Sequence, residues 1–424
     1  MARKIDLSKF TFTAEQIRAI NELIIEWVSE APELNAIHDF WTGIEYDKEV
    51  GFITSAGLVG KKKQGCNPET QDWNINTRKV TWKPVAWEVY LDECADDLEN
   101  TAAVYCKNKG VRMDDLTDTD YMDIVVTVLQ TAILEFFYRL IWFNDKDAEN
   151  VDWETLNKAT VSEQTAGSAI VGTVYAGVEA TTAGAVKCIA ASGIVYLSAT
   201  AATGNAESGK IYYSKSAETQ TVNVGGLITE DVDTEYFDLL DGLFKQLQAA
   251  VAAGEAKHIS ISANAESTKA EQLAALTPDA AFKVLDDMYY ALPAKVRAAG
   301  KIRFLVTQTI ADGYERYLQG KNITETYHNL VDGIRALRIH GVDVIPMPIW
   351  DSQIQGYFDL GDTFYKPHRA VLAEQTNLAV GIPAEEVLDE VDVWYDKTSR
   401  KNYMLAQDKL DTELLDGTRV VLAD

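Results

Sequence analysis

Gly57-Leu58-Val59-Gly60-Lys61-Lys62 is the first stretch whose residue types invite a chemical reading, because glycines ahead of a lysine can cradle a phosphate. The spacing refuses it. A phosphate loop needs four residues between its glycines and a Ser or Thr after the lysine, whereas here the gap is two and Lys62 follows. Lys61, Lys62 and Lys63 therefore read as the solvated tip of a loop. Metal chemistry fares no better. His38, His258, His328, His340 and His368 never fall at HxxxH or HExxH spacing, and Cys66, Cys94, Cys106 and Cys188 contain no CxxC pair. The acids from Asp115 to Asp123 lack the glycine and terminal glutamate of a calcium loop, so capping of a following helix explains them.

Nucleophilic and acid–base constellations are equally sparse. No GxSxG elbow occurs, and the cysteines have no partner histidine nearby in sequence. Paired carboxylates could assemble from distant positions, but with 65 acids any two can be paired on paper. Trp73, Trp82 and Trp87 have two readings: a platform that stacks sugars, or aromatics on a hairpin that bury against a neighbouring subunit. The second is preferred. The sequence thus predicts no catalytic residue, no metal and no cofactor.

Charge limits the partners. Asp plus Glu outnumber Lys plus Arg by 65 to 39, a net −26, and a protein that grips nucleic acid needs a cationic face instead. No apolar run approaches the ~18 residues of a membrane span. Met1-Ala2-Arg3-Lys4-Ile5-Asp6 has no apolar core after its charges, so a cytoplasmic protein with free, packed thiols is expected.

At 424 residues, several compact units are expected. Thr13-Ala14-Glu15-Gln16 has capping-box spacing, and Ile17, Ile20, Ile24, Trp27 and Val28 place a helix over 14–29. Residues 48–92 read as a long hairpin whose second half carries Val80, Trp82, Val85, Trp87 and Val89, with Pro84 marking an edge or a bend. From Tyr121 to Ile141 apolar residues recur every three to four positions, predicting a spine helix of about six turns. Residues 160–228, rich in Ala, Gly, Ser and Thr, hold five candidate strands: 169–175, 186–190, 194–199, 210–214 and 221–224. A flexible loop is the alternative there.

An α/β pattern follows. It has helices over 236–252, 278–291 and 308–319, and strands over 258–262, 302–307 and 337–346, the last with a turn at His340-Gly341. Thr277-Pro278 supplies an N-cap and an N1 proline, and Pro348 and Trp350 end the strand before them. Strands return over 370–373, 387–395, 401–405 and 419–422. A spine helix and returning strands each need a partner face, so a unit built from distant parts of the chain is expected.

This order of parts resembles the major capsid proteins of tailed bacteriophages of the Hong Kong 97 type. The likeness is carried by Ile339–Pro348 (IHGVDVIPMP), His368–Gly381 (HRAVLAEQTNLAVG), the closing strands from Val387 to Leu422, and the helix–strand–helix of 278–319. The resemblance implies an α+β capsid fold divided as follows: N-terminal arm and helix (1–47), extended hairpin loop (48–92), peripheral domain with spine helix (93–159), β-rich insertion (160–228), axial domain (229–384) and return strands of the peripheral domain (385–424). It implies a non-enzymatic shell subunit that partners itself in pentamers and hexamers, with a separate scaffold protein, a portal and decoration proteins. The hairpin would lie over an adjacent subunit, making Lys61, Lys62, Lys63, Trp73, Trp82 and Trp87 the interface candidates. The location implied is the virion, after assembly in the host bacterial cytoplasm. An encapsulin-type compartment shares the fold; a carbohydrate-active enzyme and a binding module are the rivals from other classes.

Overall fold

The computed structural model describes residues 37–44, 46–47, 49–55, 75–94, 135–160, 173–176, 187–191, 194–198, 210–213, 219–321, 328–329, 335–383, 391–396 and 401–424. The helix expected over 14–29 lies outside them, as does most of the spine helix expected from Tyr121 to Ile141.

The first strands are β1 (Asp39–Thr42), β2 (Glu49–Ser55), β3 (Ile75–Thr81) and β4 (Val85–Cys94). β2 and β3 form an antiparallel ribbon from Glu49↔Thr81 to Ser55↔Ile75, with Lys79 paired to Glu49 across it at 2.6 Å. The hairpin does not continue as expected through Val85, Trp87 and Val89. Its second half breaks at 82–84, where Pro84 has no N–H to give a ladder, and the Lys83 N–H is taken by the Asp411 carboxylate. β4 then pairs with residues 401–410 from the far end of the chain.

The described end of the spine segment is helical at 135–138 and widens into a π-helical turn, Arg139–Phe143. Leu140, Ile141, Trp142 and Phe143 are all buried. Such a turn is rare within a helix. Here four consecutive apolar side chains all find interior positions.

An antiparallel sheet follows, made of β5 (Asp152–Thr160), β6 (Thr173–Ala176), β7 (Lys187–Ala191), β8 (Ile194–Ser198), β9 (Lys210–Tyr213) and β10 (Thr219–Gly225) in the order β10-β5-β6-β9-β8-β7. The five strands expected between 160 and 228 are present, and the sheet begins earlier, at Asp152. Its two chain crossings meet in a tight neck. Leu227 and Ile228 both donate to the Glu149 carbonyl, Val151 donates to Ile228, and Asn150 Nδ2 bonds the carbonyls of Thr229 and Val232. Gly226 sits at φ +70, and a Cβ there would overlap the Asn150 carbonyl.

The rest comprises α1 (Leu243–Ala252), β11 (Lys257–Ile259), α2 (Lys269–Ala275), α3 (Pro278–Ala291), α4 (Ala294–Ala299), β12 (Ile302–Val306), α5 (Gln308–Gly320), β13 (His328–Asn329), β14 (Arg335–Ile339), β15 (Val342–Pro346), α6 (Pro348–Tyr357), β16 (Ala370–Glu374), β17 (Leu378–Ile382), β18 (Val391–Asp396), β19 (Lys401–Leu414) and β20 (Val421–Ala423). α3 begins where its cap predicts: the Thr277 hydroxyl accepts from the Ala280 N–H, and Pro278 follows. α6 was not expected. Pro348, read as closing a strand, instead opens a helix at N1, where the N–H it lacks would have had no intrahelical partner.

Two mixed sheets organise these elements. A seven-stranded sheet runs β11-β20-β16-β12-β15-β14-β13, with β12 parallel to β15, β11 parallel to β20 and the other pairs antiparallel. Alternate residues of β16 serve opposite cores. Ala370 and Leu372 pack with Leu285 and Met288 of α3 and Ile310 of α5, while Val371 and Ala373 join a core holding Trp142, Phe244 and Trp350. A sheet covered on both faces accounts for the unbroken apolar run of β16. The five-stranded sheet runs β1-β17-β19-β18, with β4 also on β19, and only the β1–β17 pair is parallel. It gathers β1 and β4 from the front of the chain and β17, β18 and β19 from the back. β20 does not stay with these returning strands. Its residues are all buried, and it enters the seven-stranded sheet between β11 and β16.

Candidate assembly surfaces

The six residues singled out in the sequence divide cleanly. Lys61, Lys62, Lys63 and Trp73 fall outside the described residues. Trp82 and Trp87 are covered by the chain itself, 0% and 4% exposed. Trp82 lies in a small core with Ile44, Val80, Ala379 and Leu415, its ring 6.0 Å from that of Trp41. Trp87 packs edge-on to Phe137 at 5.3 Å and against Phe136 at 5.5 Å. Neither indole offers its face to a neighbour, because the corner at Pro84 turns both inward.

Other surfaces are available. Beside Trp87 a groove of about 1060 Å³ runs between β4, the spine helix end and residues 233–239. Phe136, Leu140 and Leu239 give it an apolar floor, and Glu88, Glu135, Asp233, Glu235 and Asp408 an acidic rim. Arg139 stands in it with its guanidinium 5.4 Å from the Tyr236 ring, 5.6 Å from Phe136 and 5.9 Å from Tyr357. Burial lowers the Arg139 pKa, while the tyrosines and Glu135 oppose that fall. An apolar centre inside a polar rim is the anatomy of a protein interface. Exposed Tyr90 stacks on Tyr403 at 5.5 Å and 10° along the same strands.

A second aromatic surface caps the β14–β15 hairpin. His340, at φ +51 in the turn, lies over Tyr289 at 4.6 Å and bonds Asp286 at 2.7 Å. Arg297 covers Tyr289 and Tyr290 from 5.2 and 5.3 Å. Sequence reading found the turn but not the cluster, whose only local signal is the Tyr289-Tyr290 pair near the end of α3.

Groups that could suggest catalysis prove to be braces. The Thr309 hydroxyl donates to His368 Nδ1 at 2.8 Å, and His368 Nε2 donates to the Gln272 carbonyl at 3.0 Å. That resembles a nucleophile–base relay, but the ring is 1% exposed and burial lowers its pKa, so no substrate reaches it. Asn264 clamps the same residue, accepting from its N–H at 3.0 Å and donating to its carbonyl at 2.8 Å. Asp351 accepts the Gln308 N–H at 2.7 Å and so closes the start of α5; burial pushes its carboxyl up to about 6. Among the described residues no three His, Cys, Asp or Glu side chains are grouped to hold a metal, and no helix is long and apolar enough to cross a membrane.

No protein-family model matches the sequence, and no curated protein matches it. Solved structures similar to the chain include phage procapsid and phage chains, a GTA capsid and an encapsulin, at low identity and moderate TM-score. A chain of the satellite phage P4 procapsid that includes the size determination (Sid) protein is 8% identical, with 96% of this chain and 99% of that chain covered and a TM-score of 0.45. A chain from Gordonia phage Cozz is 10% identical over 92% of this chain and 85% of its own, TM-score 0.42. The holo-SrpI encapsulin complex from Synechococcus elongatus gives 10% identity, 94% and 88% coverage, and a TM-score of 0.38.

Proposed function

We propose that this chain is the major capsid protein of a tailed bacteriophage, a shell subunit of the Hong Kong 97 type with no catalytic role. The observation that carries the reading is the β2–β3 ribbon, whose strands pair only with each other among the described residues. A two-stranded ribbon is marginal alone in water and gains its order from a surface laid against it. In a shell that surface belongs to the next subunit, and heterologous contacts of this kind close into rings. Residues 49–81, the part of the expected 48–92 loop that lies ahead of the Pro84 corner, then act as the loop reaching a neighbour, with Lys61, Lys62, Lys63 and Trp73 toward its tip. Residues 118–143 form the spine of the peripheral domain, 229–384 the axial domain and 385–424 most of the returning strands. The interleaving of front and back segments in the five-stranded sheet supports a peripheral unit built from both ends, which also takes in β17 from 229–384 and leaves β20 to the seven-stranded sheet. Pentamers and hexamers, built in a bacterial cytoplasm on a separate scaffold protein and joined by a portal and decoration proteins, make up the virion head.

The test is to express the full chain and examine it by size-exclusion chromatography and negative-stain electron microscopy, alone and beside a scaffold protein. Closed shells, or rings of five and six subunits, are expected. A monomer under every condition would overturn the proposal.

A further inference from the structure

At the neck of the six-stranded sheet lies a cavity of about 200 Å³. Its apolar walls are Phe143, Leu227, Ile228, Phe244 and Phe358. Arg369 borders it and is only 2% exposed. The guanidinium is ringed by four aromatics that all line the same cavity: Phe244 at 4.6 Å, Phe143 and Tyr365 at 5.4 Å, and Phe358 at 6.0 Å. Its Nε donates to the Lys366 carbonyl and one terminal nitrogen to the Tyr365 carbonyl. Among the described residues no carboxylate stands within ion-pair distance of it. Buried cations are ordinarily paired, and burial lowers the pKa of this one, with Asp424 acting only from a distance.

Asn144 borders the cavity as well. It is 1% exposed, and neither its side-chain nitrogen nor its oxygen has a hydrogen-bond partner. Buried amides are otherwise satisfied. An unpaired cation and an unsatisfied amide thus share the wall of one aromatic cavity. Arg369 asks for an anion, and the Asn144 amide is the polar group on the same wall left without a partner. The volume suits a ring-sized body, since an apolar cavity of about 150 Å³ accommodates benzene. The mouth fixes the charge. Asp145, Asp147 and Glu149 line it, and the one lysine there, Lys245, is held by Asp145 at 2.8 Å and Asp147 at 3.5 Å. Phosphates and other multiply charged anions are repelled at such a rim.

We propose that this cavity binds a small monocarboxylate with an apolar body the size of a benzene ring, its carboxylate on Arg369 and Asn144 and its body among Phe143, Phe244 and Phe358. The ligand would lie directly beneath the Gly226–Ile228 side of the neck.

The full-length protein is titrated with benzoate and with cyclohexanecarboxylate, and binding is followed by thermal shift and ligand-observed NMR. Saturable binding of at least one acid in the micromolar-to-millimolar range is expected, at least ten-fold weaker for benzamide, which has the shape without the charge. Arg369→Met should abolish binding. Should that variant fail to fold, Leu227→Trp fills the cavity from its half-exposed wall, leaves Arg369 in place and should also abolish binding. No saturable binding of either acid overturns the proposal. So does equal affinity for benzamide, or benzoate binding undiminished in a folded Leu227→Trp protein.

Discussion

Gly381 lies directly beneath the indole of Trp82, so close that a Cβ at 381 would stand 2.7 Å from the ring carbon Cε3. Gly381 pairs with Trp41 of β1 on one side and Asp411 of β19 on the other. The contact therefore fixes how the corner at Pro84 seats on the five-stranded sheet. A methyl group here has nowhere to go. Gly381→Ala should cost about 1–3 kcal/mol, the usual penalty of overpacking a filled core, read as a lower chemical-denaturation midpoint of the unassembled subunit. Gly356→Ala is the control. A Cβ at that exposed position in α6 meets nothing, and helix propensity predicts a gain of up to about 1 kcal/mol.

Asp351 gives the subunit a pH dependence of definite sign. Burial, the largest cause, raises its pKa from 3.8 to about 6. Between those values the folded chain holds a proton that the unfolded chain has released, so stability falls as pH rises from about 4 to about 6 and then levels off. At 1.36 kcal/mol per pKa unit the change is of order 2–3 kcal/mol. Asp351→Asn should flatten this part of the curve, and the difference between wild type and variant across the window is the quantity to measure. Parallel curves would refute the assignment.

Gln246 works as a strand partner supplied by a helix. From α1 its Nε2 donates to the Thr412 carbonyl at 2.6 Å, and its Oε1 accepts the Leu414 N–H at 2.7 Å. Gln246→Ala leaves both β19 groups without that partner, at about 1–3 kcal/mol. Hydrogen exchange at the Leu414 amide should accelerate. An unchanged rate there would mean that water replaces the side chain.

Arg419 reaches both oxygens of Glu374 at 2.7 Å, and the Glu374 side chain is only 4% exposed. Arg419→Ala strands a buried carboxylate, and losses of about 3–5 kcal/mol are usual for such a break. The double variant Arg419→Met, Glu374→Met should recover most of that loss. Thermal melts of the three proteins decide whether the pair or the packing matters.

Local signals were legible in the sequence, and distant partners were not. Thr277 and Pro278 announce α3 because a cap is written in adjacent residues, and His340-Gly341 announces the β14–β15 turn in the same way. β19 reads only as far as Leu405, although it runs to Leu414. Asp408, Lys409 and Asp411 look like loop residues until Lys83 and Gln246 arrive from elsewhere to bond that segment. The tryptophans show the same limit. Their type predicted burial against something, but which surface covers Trp82 and Trp87 depends on a corner whose anchor, Asp411, lies 328 residues from Lys83. The Arg369 cavity had no sequence signal, since it is assembled from the spine turn, the neck, α1 and the approach to β16.

The sewing of front to back in the five-stranded sheet sets a clock on biosynthesis. Gln375 bonds the His38 carbonyl across 337 residues of chain. At roughly 5–20 residues per second a ribosome takes on the order of 20–70 s to make that stretch. β1 waits through nearly all of that interval, and β4 through most of it once Cys94 has been added, while β17 and β19 have not yet been made. Nascent subunits therefore carry unpaired strand edges for a long time by folding standards, and their yield in a cell will depend on whatever chaperone shields those edges until the last strands emerge.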